Sequence, residues 1–133
     1  MSGYLLDTNI ISALLRDPDG PAADHIERVG PQKICTSIIV AGELRYGCAK
    51  KGSAKLLARV EALLEIIPVL PLNIPADAEY GGIRAELEAA GKPIGANDLL
   101  IGAHAHALGL TLVTGNIRKF KRIRGLTVEN WLI

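Results

Sequence analysis

Three carboxylates stand where the pattern of the chain changes. Asp7 closes the apolar run Tyr4, Leu5, Leu6, which reads as a buried strand, and precedes Ile10, Ile11, Leu14 and Leu15 at helical spacing. Asp98 follows Pro93 and Gly95 and falls in the first turn of an apolar-rich helix that Gly109 ends. Glu43 lies in "TSIIVAGELRYGCAK", about 70° from the centre of the inward stripe Val40, Leu44, Gly47, so it borders the core. Each acid has an ordinary explanation. Asp7 and Asp98 are good helix-start residues, which accept orphan backbone N–H bonds and face the positive end of the dipole. Glu43 is explained as a solvated side chain beside Arg45 or Lys50, although no cation stands four residues on, where the chain has Gly47. If the three converge, their mutual repulsion is relieved by a proton or a cation. Oxygen ligands without Cys or His close by favour Mg²⁺ or Mn²⁺ over Zn²⁺.

The elements that must position these acids alternate short apolar runs with longer helical stretches, the order of an α/β domain with a mostly parallel sheet. Strands are predicted at Tyr4–Leu6, Lys33–Cys35, Pro68–Leu70, Thr111–Val113 and Leu126–Val128. Helices are predicted near 8–16, 21–29, 37–50, 53–66, 74–90 and 97–108. In an open parallel sheet the strand ends that feed helices line a crevice, the usual place for a ligand. Asp7 and Asp98 are placed to reach it.

The other polar candidates are of a different kind. His104 and His106 lie two apart, about 200° around a helix, and cannot chelate one ion from one face. His25 is isolated, and neither a serine-type triad nor a P-loop is present. The run "NIRKFKRIRG" holds Arg118, Lys119, Lys121, Arg122 and Arg124 with Phe120 and Ile123 between them. Alone it reads as a solvated face. Because it follows the strand "TLVT", it should leave the sheet at the edge where the acids lie, and its cations could hold phosphates while Phe120 anchors the loop or stacks on a base.

Composition sets the bounds. The 133 residues fit one domain spanning 1–133, large enough to need no disulfide or structural metal. A formal charge of +1 leaves attraction to nucleic acid to local clustering. Cys35 and Cys48 have neither redox nor zinc spacing and read as free thiols in a reducing cytosol. Asp7 interrupts any leader-like run, so a cytoplasmic protein with no membrane contact is expected. The 49% hydrophobic fraction leaves apolar surface for a homo-oligomer or a bound partner.

Four ordered motifs over almost the whole chain resemble a PIN-domain ribonuclease of the VapC toxin type: "LDTN", the helical Glu after "TS", "IGANDLLI", and "LVTGN" with its basic loop. The resemblance implies an α/β/α sandwich around a parallel sheet, with Asp7, Glu43 and Asp98 as the catalytic acids that bind Mg²⁺ or Mn²⁺. It also implies hydrolysis of RNA phosphodiesters, tRNA being a frequent target, a 3′-hydroxyl and 5′-phosphate product, a homodimer, and a VapB-type antitoxin in the groove. On that reading Asn9 and Thr114 hold the acids or a water. Asn116 stands where many PIN domains carry a fourth acid, and Arg118, Lys119, Lys121 and Arg122 bind RNA. Two other readings remain: a PIN-like RNA- or protein-binding module without catalysis, and a phosphohydrolase with Asp7 as nucleophile. The second lacks the further acid such a site requires two residues on, where Asn9 stands.

Overall fold

In the computed structural model, which describes residues 3–133, the centre of the molecule is β1 (Tyr4–Leu6). Leu5 and Leu6 point to opposite faces of the sheet, yet both are fully buried, so helices cover both faces in a three-layer α/β/α arrangement. That explains why this strand reads as an unbroken apolar run. The chain continues through α1 (Thr8–Arg16), α2 (Pro21–Val29), β2 (Ile34–Ser37), α3 (Ile38–Lys51), α4 (Ala54–Ile66) and β3 (Val69–Leu70). It then forms α5 (Ala76–Ala89), α6 (Ala96–Leu108), β4 (Thr111–Val113), α7 (Ile117–Phe120) and β5 (Val128–Glu129). All strand pairs are parallel and the order is β3-β2-β1-β4-β5, with Leu5 opposite Cys35 on one side and Leu112 on the other.

The order reverses at β1. Connections from β1 move one way through the sheet and those reaching β4 arrive on the other side, which opens a crevice at the C-terminal ends of β1 and β4. Asp7 follows β1 and Thr114 follows β4 at that point. Asp7 N–H still bonds the Val113 carbonyl at 2.9 Å, so the sheet fixes the aspartate's backbone before the helix begins.

Most boundaries agree with the sequence pattern to within two residues. β2 starts at Ile34 because Pro31–Lys33 form a 3₁₀ turn, after Gly30 has reversed the chain at a φ of 102°. β5 is displaced from Leu126–Val128 to Val128–Glu129, since the turn through Gly125, with a φ of 81°, takes up Leu126. The segment read as a basic loop begins with the helical turn α7. The C-terminus is sealed by Trp131, 1% exposed, whose ring lies 5.0 Å from Tyr4 and stacks on His25 at 5.2 Å. His25 is therefore structural.

Candidate active site

The crevice is a cleft of about 950 Å³, and Asp7, Glu43 and Asp98 all line it. Asp7 is only 5% exposed. Its Oδ1 accepts from Thr8 N–H at 2.7 Å and its Oδ2 from the Thr114 hydroxyl at 2.8 Å. An ordinary cap bonds the second or third N–H of its helix, as Ser37 does with Ile39 and Ser53 with Leu56. Asp7 instead bonds the first, so helix capping accounts for its position only in part. Burial pushes its carboxyl above the usual carboxylate range. The Thr114 and Thr8 bonds pull it back, and the charges of Asp98 and Glu43 push it further up.

Glu43 reaches the cleft from α3 and does not pair with Arg45, which is taken by Glu61 at 3.1 Å on the exposed side. Its Oε1 accepts from the Thr8 hydroxyl and its Oε2 from the Asn97 amide at 3.2 Å. Both donors are neutral and leave the charge uncompensated. The α3 helix that carries Glu43 is fixed at its start, where buried His104 lies 2.8 Å from the Ser37 hydroxyl. Burial pushes the imidazole below its ordinary value, against a smaller upward pull from the Pro71 backbone. Asp98, in the first turn of α6, meets Lys119 Nζ at 2.7 Å.

The neighbouring polar residues divide. Thr114 holds Asp7 and accepts from Asn116 N–H at 3.0 Å. Asn9 holds no acid: its amide oxygen accepts from Gly115 N–H at 3.0 Å and fixes the turn after β4. Asn116 lines the cleft and caps α7 by accepting from Lys119 N–H at 3.4 Å. Of the four cations assigned to RNA, only Lys119 lines the cleft. Arg118 and Lys121 are exposed beside it, and Arg122 donates to the Pro93 carbonyl at 3.1 Å. Phe120, 1% exposed, anchors this segment and is not available to stack on a base. Arg16, which also lines the cleft, escaped the sequence analysis, although Thr8, Ser12 and Arg16 at i, i+4, i+8 mark one polar face of α1.

The donor types suit a hard divalent cation: three carboxylates face one cleft, and the charges of Asp98 and Glu43 raise the cost of charging Asp7. Among the described residues, no three acidic, histidine or cysteine side chains meet closely enough to chelate an ion as they stand. Thr8, Thr114, Asn97 and Lys119 each hold a carboxylate oxygen in place.

Thr114→Val tests this scaffold. The change keeps the shape but removes the donor to a buried carboxylate and the acceptor for Asn116 N–H. A stability loss of about 2 kcal/mol is expected in urea denaturation. The Asp7 carboxyl should titrate still higher by NMR, because the bond that favours its charged form has gone.

Acids gathered at the switch point of a parallel sheet define an α/β domain with an acidic cleft. The PIN domain model matches residues 4–126. The chain is 40% identical over 131 residues to Ribonuclease VapC2 of Rickettsia felis, covering 96% of this chain and 97% of that protein. It is 35% identical over 132 residues to the tRNA(fMet)-specific endonuclease VapC of Shigella flexneri, with 98% and 99% covered. The crystal structure of VapBC2 from Rickettsia felis bound to a DNA fragment from their promoter superimposes with a TM-score of 0.88 at 37% identity, covering 98% of this chain and 99% of that chain. The chain belongs to the PIN-domain family, in its VapC type.

Proposed function

We propose that this protein is a metal-dependent endoribonuclease, the toxin of a type II toxin–antitoxin pair, which hydrolyses phosphodiester bonds in RNA, tRNA first among them. The observation that carries this reading is the set of three carboxylates at the switch-point cleft, which outnumber the two cations, Arg16 and Lys119, that line it. Asp7 and Asp98 would hold Mg²⁺ or Mn²⁺, with Glu43 joining directly or through a water. A divalent ion there supplies Lewis acidity toward the phosphodiester and the attacking water. The chain's own part is orientation. Thr114 and the Thr8 N–H fix the two Asp7 oxygens, and Asn97 and the Thr8 hydroxyl fix those of Glu43. The purified protein should cut RNA with Mg²⁺ and not with excess EDTA, and sequencing new RNA 5′ ends after induction would identify the target. Binding of RNA without cleavage would instead favour the non-catalytic module.

A VapB-type antitoxin and a second copy of the chain are the partners this reading assigns. Ile38 and Tyr46, 48% and 66% exposed, border the acid cleft, and Ile66 and Ile74 are exposed elsewhere. An antitoxin arginine reaching Asp7 and Asp98 would neutralise the site directly. No helix among the described residues is long and apolar enough to cross a membrane.

Asn116→Asp should tighten Mg²⁺ binding about tenfold, because a further carboxylate would line the cleft. The metal-free protein should lose stability through carboxylate repulsion. That loss is reduced by the favourable charge at the start of α7 and by nearby Lys119. The stabilisation gained on adding Mg²⁺ should therefore grow. Calorimetric titration and melting curves with and without metal check both. Equal affinities and parallel shifts would put Asn116 beyond the metal's reach.

A further inference from the structure

One of the three carboxylates already has a cation. Lys119 Nζ lies 2.7 Å from Asp98 Oδ2, with the two side chains 34% and 26% exposed. The contact crosses from α7 to the first turn of α6. The lysine's backbone is fixed there by three neighbours. Asn116 accepts from its N–H, Phe120 is buried beside it, and Ile123 packs so closely on α6 that a Cβ at Gly102 would lie 2.5 Å from its Cδ1. Only the four-carbon stem is free to move. The rest of the basic run is committed elsewhere or lies outside the cleft: Arg122 bonds the Pro93 carbonyl and Arg124 meets Glu86 at 3.4 Å.

We propose that the Lys119 ammonium is the resident counter-cation of the cleft, which holds Asp98 while no divalent ion is present and moves to a substrate phosphate oxygen when an ion takes that carboxylate. The inference rests on the metal reading of the site given above. The charges support it. Three carboxylates and one divalent ion leave a single negative charge, which the Lys119 ammonium cancels, and Arg16 on the α1 side of the cleft adds a positive charge, so a phosphodiester anion enters without net repulsion. A flexible stem with three rotatable donors suits the exchange of one oxyanion for another within the same cleft, which a planar guanidinium fork would not make as freely.

The test uses calorimetric titration of the metal-free full chain with Mn²⁺, on the wild type, Lys119→Gln and Lys119→Arg. Because Lys119 is partly exposed, both variants are compatible with the fold. Removing the competitor for Asp98 should tighten Mn²⁺ binding roughly fivefold in Lys119→Gln and enlarge the gain in melting temperature at saturating Mn²⁺. Lys119→Arg should bind Mn²⁺ no more tightly than the wild type. In steady-state RNA cleavage, Lys119→Gln should raise KM about tenfold, and Lys119→Arg should recover part of it. Equal Mn²⁺ affinity in the wild type and Lys119→Gln overturns the inference while leaving the metal site standing. A tighter ion with unchanged KM overturns the transfer to phosphate. Absence of Mn²⁺ binding in all three proteins overturns the metal reading, and the inference with it.

Discussion

Asp98→Asn and Asp7→Asn are each expected to lower RNA cleavage by at least about 10³-fold, since several kcal/mol of transition-state stabilisation are lost and each 1.36 kcal/mol is a factor of ten. Their effects on the metal-free fold should differ. Asparagine at position 7 can accept from Thr8 N–H through its oxygen and donate to the Thr114 hydroxyl, so both bonds have a replacement. The buried charge disappears. Stability should rise by about 1 kcal/mol, or roughly 4 °C in melting temperature. At position 98 the change breaks the contact with Lys119, so no gain is expected. The pH dependence follows from the Asp7 carboxyl, which burial holds above its ordinary value of 3.8. The folded state then binds a proton more readily than the unfolded one. The penalty of the buried charge is complete above the raised value, fades as pH falls through it, and is absent below 3.8. Asp7→Asn should flatten that part of the stability profile. Wild-type cleavage by either variant would remove its residue from the mechanism, and an unfolded Asp7→Asn would return Asp7 to capping alone.

The sequence carried the local physics well and the cross-chain physics poorly. The apolar run before Asp7 and the helical spacing after it placed β1 and α1 to the residue, because both patterns are local and burial on both faces of the sheet leaves no ambiguity. The half-buried position of Glu43 was legible from its angle to Val40 and Leu44. Its partners were not, since Thr8 lies 35 residues away and Asn97 lies 54 away, and nothing in either segment announces the meeting. Arg16 was legible in principle as the third member of a polar stripe on α1. Lys119 could not be singled out from its neighbours, because five cations in seven positions look equivalent until α7 brings one of them into the cleft. The bond from Gly115 N–H to Asn9 was hidden for a similar reason. The Asn9 side chain reaches the turn after β4, a contact set by sheet order and not by anything near position 9.

The remaining cations make the second large effect, and the variant that tests them must spare Lys119, whose loss acts on the metal as well. Arg118→Gln, Lys121→Gln and Arg122→Gln together remove three charges beside the cleft without touching an acid. If all three neutralise phosphates of a single-stranded region, the slope of log affinity against log salt should fall by about 2, at roughly 0.7 per phosphate. RNA binding at 0.15 M salt should weaken roughly fiftyfold. Arg122 is tethered to the Pro93 carbonyl, so a fall of about 1.4 would leave Arg118 and Lys121 as the two contributors. The measurement is best made on an Asp7→Asn background, where the strand stays intact during titration. Arg16→Gln on the same background provides the control, because Arg16 lines the cleft and accounts for about 0.7 of slope if RNA runs along α1. An unchanged slope in the triple variant, with a loss in Arg16→Gln, would move the RNA path to the α1 side and reduce the exposed part of the basic run to solvated surface.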